Sequence, residues 1–521
     1  MMKKVLAVLL AAAMILATLA GCSNTGSDDG AKADTTAAAD TKGDDGADTE
    51  AADDGAADTE APSGEVKHLI MTLINYSNQY PDVDKVAEAI SAITRESIGV
   101  EVEIQMYDFA SYKQALTLAL SGGEQLDLIT TITAGYTTIA QQGYLTDLNE
   151  NDLLQTYGQG IIEAVGGIDN INATAVGGVV YGTPAIHDWA VGHGCYAIRQ
   201  DFLEEVGYEV TDDDIVKATQ EEVDGWLAKI HEAHPEIETY RATGTFTNQF
   251  LDIDIIGNNV FGVLLNYGEK PEVVNLFTAD TYLDNLMVFR NYYLNGYTSK
   301  DAATDTTSVT TLMQNDALAA YNTGGKPGIR AQESRISKPV VIFQTKEDAS
   351  SSSTLAGFPW AIPYTTVDPV ASMKLLNEFY TNPELANLLA YGIEGTHYNL
   401  VNGQVELVEN PGYTTLIWDQ PNELICYTTT ANDPDVWEKT KEFNQNAKKS
   451  VAAGFNFDPT NVADEISACT NVYEEYQKSL EFGLVDPEPT IQEMNERLMA
   501  AGLQKIIDEK QKQLDEFLAS K

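Results

Sequence analysis

The side chains best suited to recognition chemistry fall at the ends of regular elements: Asn75, Tyr76 and Asn78; Thr131, Thr133 and Tyr136; His187, Asp188 and Trp189; Tyr321 and Asn322; Trp360; and Trp418. Flat rings pack on apolar ring faces, while amide, hydroxyl and carboxylate groups exchange hydrogen bonds with hydroxyls. That combination suits non-covalent capture of a solute that offers both kinds of surface. Each residue also has an ordinary role. A lone Trp or Tyr is commonly core, and Asn or Thr after a strand commonly forms a turn.

Motifs for covalent chemistry are missing from the sequence. It has no C-x-x-C, no H-E-x-x-H and no G-x-S-x-G, so neither a metal nor a cofactor is expected. In His231-Glu232-Ala233-His234 the histidines stand at i and i+3 and run into Pro235, which reads as the polar end of a helix. The turn Thr323-Gly324-Gly325-Lys326-Pro327-Gly328 lacks the spacing of a phosphate loop. With 79 acidic residues a carboxylate pair for glycoside hydrolysis has room to exist, though no pair stands out at a strand end. A hydrolase and a peptide-binding protein therefore remain alternatives.

One residue does have reactive spacing. Lys3 and Lys4, an apolar run from Val5, and Leu19-Ala20-Gly21-Cys22 read as a secretory signal (residues 1–21) that ends in a lipidation box. Cys22 would take a diacylglyceryl group and become the mature N-terminus. Two acyl chains suffice for stable attachment to a membrane surface. The competing reading is an uncleaved span, since the run is nearly long enough to cross a bilayer. Residues 22–64 are almost all Ala, Asp, Thr, Gly, Glu and Ser, with no aromatic residue and no Leu, Ile or Val after Cys22. Such a segment cannot bury enough apolar surface to offset its ordering entropy, so a flexible acidic tether is expected.

The formal charge is −48 at pH 7, most of it beyond the tether. Such a surface argues against nucleic acid and against adhesion to anionic lipid. Cys195, Cys426 and Cys469 are an odd set without close spacing, and no disulfide is expected among them.

The elements that must position these residues alternate. His68–Leu73, Val100–Met106 and Asp127–Thr131 read as strands, with helices over Asp84–Ile98 and Tyr112–Leu120 between them. This β-α-β-α-β order predicts an α/β domain, with ligand-facing loops beyond the strand ends. A second α/β segment follows, with helices over Gln220–His231 and Thr281–Tyr293. An amphipathic helix is expected at Asp368–Tyr380, and two long helices at the C-terminus, the last from about Thr490 to Leu518.

Several segments then carry a family resemblance. Leu120–Ile129 resembles a small-residue turn before a third strand, and Gly143-Tyr144-Leu145-Thr146-Asp147-Leu148 a G-x-L-x-D-L motif. Gly178–Pro184, Tyr196–Asp201, Leu312–Thr323, Trp360–Pro363 and Ala371–Tyr391 follow in the same order. Together they resemble the family 1 extracellular solute-binding lipoproteins of ABC importers, which are maltose-binding-like. The part after Val401 is similar to a C-terminal domain of unknown function in one subgroup.

The resemblance implies a two-lobed periplasmic-binding-protein-like α/β fold (type II) with a mixed or helical C-terminal extension. One lobe would comprise 65–185 and 355–400, the other 186–354, with 401–521 packed on the second lobe. It also implies an oligosaccharide held in a cleft between lobes, no catalysis, and delivery to ABC permease subunits. The expected state is a monomer, lipid-anchored through Cys22 on the extracytoplasmic face of the cell membrane.

Overall fold

In the computed structural model, residues 65–75, 80–243, 249–257 and 259–520 are described. The signal, Cys22 and the tether, together with Tyr76 and Asn78, lie outside them.

β1 (Lys67–Asn75) and β2 (Val100–Asp108) pair in parallel over their full length, joined by α1 (Val83–Ser97). α1 forms because Val86, Ala87 and Ile90 recur on one face and bury against the sheet. α2 (Tyr112–Gly122) ends at Gly123, whose φ of 70° only glycine adopts without strain. β3 (Ile129–Thr130) lies beyond β1, through a parallel bridge between Met71 and Leu128. The returning strand Trp360–Ala361 then runs antiparallel between β3 and β4 (Gly182–Thr183). Both chain passages out of this lobe therefore start from the same edge, where β1 and β3 also end.

The second sheet is mixed. β5 (Val191–Arg199) is buried for most of its length and runs antiparallel to both Leu318–Gly325 and Val340–Gln344. Glu238–Arg241 adds in parallel beyond Leu318–Gly325, and Asp348–Ser350 pairs with the start of β5. The helix Gln220–Ala233 that covers it starts with a reciprocal cap between Thr219 and Glu222. The helix Pro369–Thr381 of the first lobe starts from Asp368, whose carboxylate accepts from Ala371 N at 3.1 Å.

Two sequence expectations need correction. The C-terminal helix is two helices, Pro487–Ala501 and Leu503–Ser520, separated by Gly502 at φ 109°. A Cβ there would stand 2.5 Å from Glu465 Cγ, so the close approach of helix Ala463–Glu481 fixes the corner. Secondly, 401–521 is not one extension on the second lobe. Tyr413 and Leu424 join the core of the first lobe, with Trp437 packed against it. Lys448–Lys449 then pairs with Ser350, and from Ala452 onward Phe455, Cys469, Met494 and Leu514 complete the core of the second lobe. Where each piece settles is decided by which core lacks an apolar face. Cys195, Cys426 and Cys469 are free and buried. Among the described residues no helix is long and apolar enough to cross a membrane.

Candidate functional site

Over the carboxyl ends of the first sheet lies the segment Thr414–Asp419, pinned at three points. Asn75 Nδ2 donates to Thr414 O at 2.6 Å. Thr130 Oγ1 donates to Asp419 Oδ1 at 2.7 Å, and Trp360 Nε1 to Asp419 O at 2.9 Å. Asn75 and Trp360 are thus buried supports. Trp360 is 0 % exposed, so it has no ring face to offer a solute and acts by placing its neighbours. Burial pushes the Asp419 carboxyl up to about 8, offset only in part by the Thr130 hydroxyl.

What this support presents is Trp418, half-buried. Its ring meets Phe358 edge-on at 5.7 Å, and Phe358 stacks on His187 at 4.8 Å and 19°. The three rings come from three segments: the C-terminal part, the return passage and the outgoing passage. Beside them Asp188 Oδ1 lies 3.3 Å from Lys326 Nζ, which the second lobe supplies from the turn after Leu318–Gly325. Burial alone would raise the Asp188 carboxyl, but the Lys326 charge and the His187 contact together hold it below the usual carboxylate range. Glu423 is buried next to this pair, and burial first, then the Asp188 charge, push its carboxyl up. The floor between the lobes is therefore an aromatic run flanked by one lysine and two acids.

The loop after β3 contributes differently. Thr131 is buried, its hydroxyl donating to Pro359 O at 2.7 Å. Thr133 has φ 59°, a left-handed backbone that a β-branched residue rarely adopts, and its buried Oγ1 has no hydrogen-bond partner among the described residues. A strained residue with an unmatched hydroxyl marks a position set for something other than stability. Tyr136 is buried, its hydroxyl donating to Thr174 O at 2.8 Å.

The remaining expected residues stand apart. Trp189 turns to the opposite flank of the outgoing passage, its indole N–H donating to Ala185 O at 2.8 Å. Tyr321 is core of the second lobe and donates to Glu333 Oε2 at 2.5 Å. Asn322 is buried, accepting from Thr243 N at 2.7 Å and donating to Gln249 Oε1 at 3.0 Å, so it ties two stretches of one loop. Lys326, Phe358 and Glu423 were not legible as site residues. The available signals were a lysine in a glycine turn of a cation-poor chain and an aromatic residue two positions before Trp360.

Residues 451–519 match the model of a domain of unknown function, DUF3502. A carbohydrate ABC transporter substrate-binding protein of Streptococcus pneumoniae serotype 4 is 26% identical over 465 residues, which is 87% of this chain and 91% of the relative. Among solved structures, the N-glycan transport solute binding protein NgtS of Streptococcus pneumoniae superposes with a TM-score of 0.76 at 26% identity, covering 87% of this chain and 99% of that one. The same protein in complex with Man5GlcNAc gives 0.65 at 26% identity, with the same coverage.

Proposed function

We propose that this chain, a homologue of the family 1 carbohydrate substrate-binding proteins with their two-lobed fold, captures an oligosaccharide between its lobes and passes it to a membrane permease. The observation that carries this reading is the likeness along nearly the whole chain to a glycan-transport binding protein, joined to an aromatic floor where the two lobes meet. Trp418 and Phe358 supply ring faces, and the Asp188–Lys326 pair supplies polar partners. At nearly constant identity, the superposition on glycan complexes is poorer, at 0.65 and 0.68 against 0.76. A change of lobe angle leaves such a difference, which supports a receptor that closes on its ligand.

On this reading the protein breaks no covalent bond: Asp188 is committed to Lys326, and Glu423 is buried behind it. Cys22 would anchor the chain at the extracytoplasmic face, and the monomer would meet the permease when closed. Calorimetry with oligosaccharides, starting with Man5GlcNAc, tests the proposal when run beside chromatography and small-angle scattering. Heat of binding with compaction and unchanged sugar is expected. A hydrolysed product would assign the chain to the enzymes. Scattering curves unaltered by every bound sugar would remove the closing receptor.

A further inference from the structure

The outgoing passage has a second flank. His187 and Asp188 face the floor described above, whereas Ile186 and Trp189 line a cavity of about 750 Å³ on the other side. The size falls within the roughly 300–1,000 Å³ of small-molecule sites. Its wall is fixed. Asn444 Oδ1 accepts from Trp189 N at 2.7 Å, and Asn444 Nδ2 donates to His187 O at 2.8 Å. Because the Trp189 indole N–H is also satisfied within its own segment, the ring is free to act as an apolar surface. Val165, Leu355 and Leu424 extend that surface.

The charges on this lining run against those of the chain. Overall, 79 acidic residues face 31 basic ones, yet here Lys441 and Lys449 stand against Glu163 alone. Both lysines are exposed, and neither ammonium group forms an ion pair or hydrogen bond among the described residues. An apolar cavity with two uncommitted cations at its edge matches an apolar body that carries one negative group.

We propose that this cavity is a second ligand site, independent of the sugar reading, that takes an amphipathic monoanion of fatty-acid or aryl-acid size. The body lies against Trp189 and Leu424, and its carboxylate, phosphate or sulfonate lies between Lys441 and Lys449. Three probes test it on the full chain: decanoate by calorimetry, and 8-anilinonaphthalene-1-sulfonate and the uncharged N-phenyl-1-naphthylamine by fluorescence. Decanoate should bind once and displace the sulfonate. The double variant Lys441→Ala, Lys449→Ala should weaken both anions about tenfold, or about 1.4 kcal/mol, and leave the uncharged probe alone. Ala164→Trp, an exposed position on the rim, should exclude all three while the melting temperature holds. Absence of saturable binding overturns the proposal. So does equal loss of the uncharged probe in the lysine variant, or indifference of all probes to Ala164→Trp.

Discussion

Lys326 Nζ of the second lobe lies 3.3 Å from Asp188 Oδ1 on the outgoing passage, with Glu423 of the C-terminal part buried beside the pair. One cation thus answers two acids from different segments, where the chain passes from the first lobe to the second. Lys326→Met would leave both acids buried without it. A loss of about 2–3 kcal/mol is expected, below the ~3–5 kcal/mol of fully enclosed pairs because Lys326 keeps some solvent contact. Denaturant melts would register it, and adding Asp188→Asn should restore part of the loss. Equal midpoints for wild type and Lys326→Met would show that the pair contributes nothing.

Trp418 of the floor and Trp360 beneath it should part company. Trp418→Ala should weaken oligosaccharide binding at least tenfold with little change in the melting temperature of the free protein, since its ring is half-exposed. Trp360→Ala should cost about 3–5 kcal/mol of stability in the free protein, because it empties a fully buried site and leaves Asp419 O without its donor. Calorimetry and thermal melts on both variants separate platform from support.

Thr133 offers a trade between stability and binding. Thr133→Gly removes a left-handed β-branched residue and should stabilise the free protein by about 1 kcal/mol. The strained backbone also sets the shape of the loop after β3, so relaxing it should lower sugar affinity. If affinity is untouched while stability rises, the strain at Thr133 serves something other than ligand.

Asp419 gives a pH signature with a definite sign. Its folded-state value of about 8 lies above the roughly 3.9 of an unfolded aspartate, so the folded form keeps a proton that the unfolded form releases. The resulting stability is fully present below about pH 4 and is lost as pH rises toward 8. Glu481, pushed up to about 7 by burial, adds in the same direction. Urea midpoints should therefore decline between pH 5 and 8. Asp419→Asn, which keeps an acceptor for Thr130, should flatten part of that decline; an unchanged slope would place the proton elsewhere.

Much of the fold was legible because its signals are local. The α1 stripe at Val86, Ala87 and Ile90, the Asp368-Pro369 cap and the alternation of strands and helices each depend on near neighbours in sequence. The long last helix was misread since Gly502 is tolerable inside a helix until Glu465 crowds its α-carbon. The assignment of 401–521 to a single lobe failed for a similar reason. Tyr413 and Phe455 look alike as apolar residues, and only the two cores show which one each completes.

Of the residues that type and strand end had singled out, Trp418 and His187 both pack on Phe358 and Asp188 adjoins His187, while Asn75, Thr131 and Trp360 are buried supports nearby. Exposure was not determined, because a tryptophan's hydrophobic surface is equally satisfied by core or by ligand. Packing of Thr414–Asp419 across the first sheet, hundreds of positions from Asn75 and Thr130 in sequence, covered Trp360 and left Trp418 open. Sequence periodicity sets which faces must be buried; the fold alone decides which partner buries them, since that choice rests on contacts between distant segments.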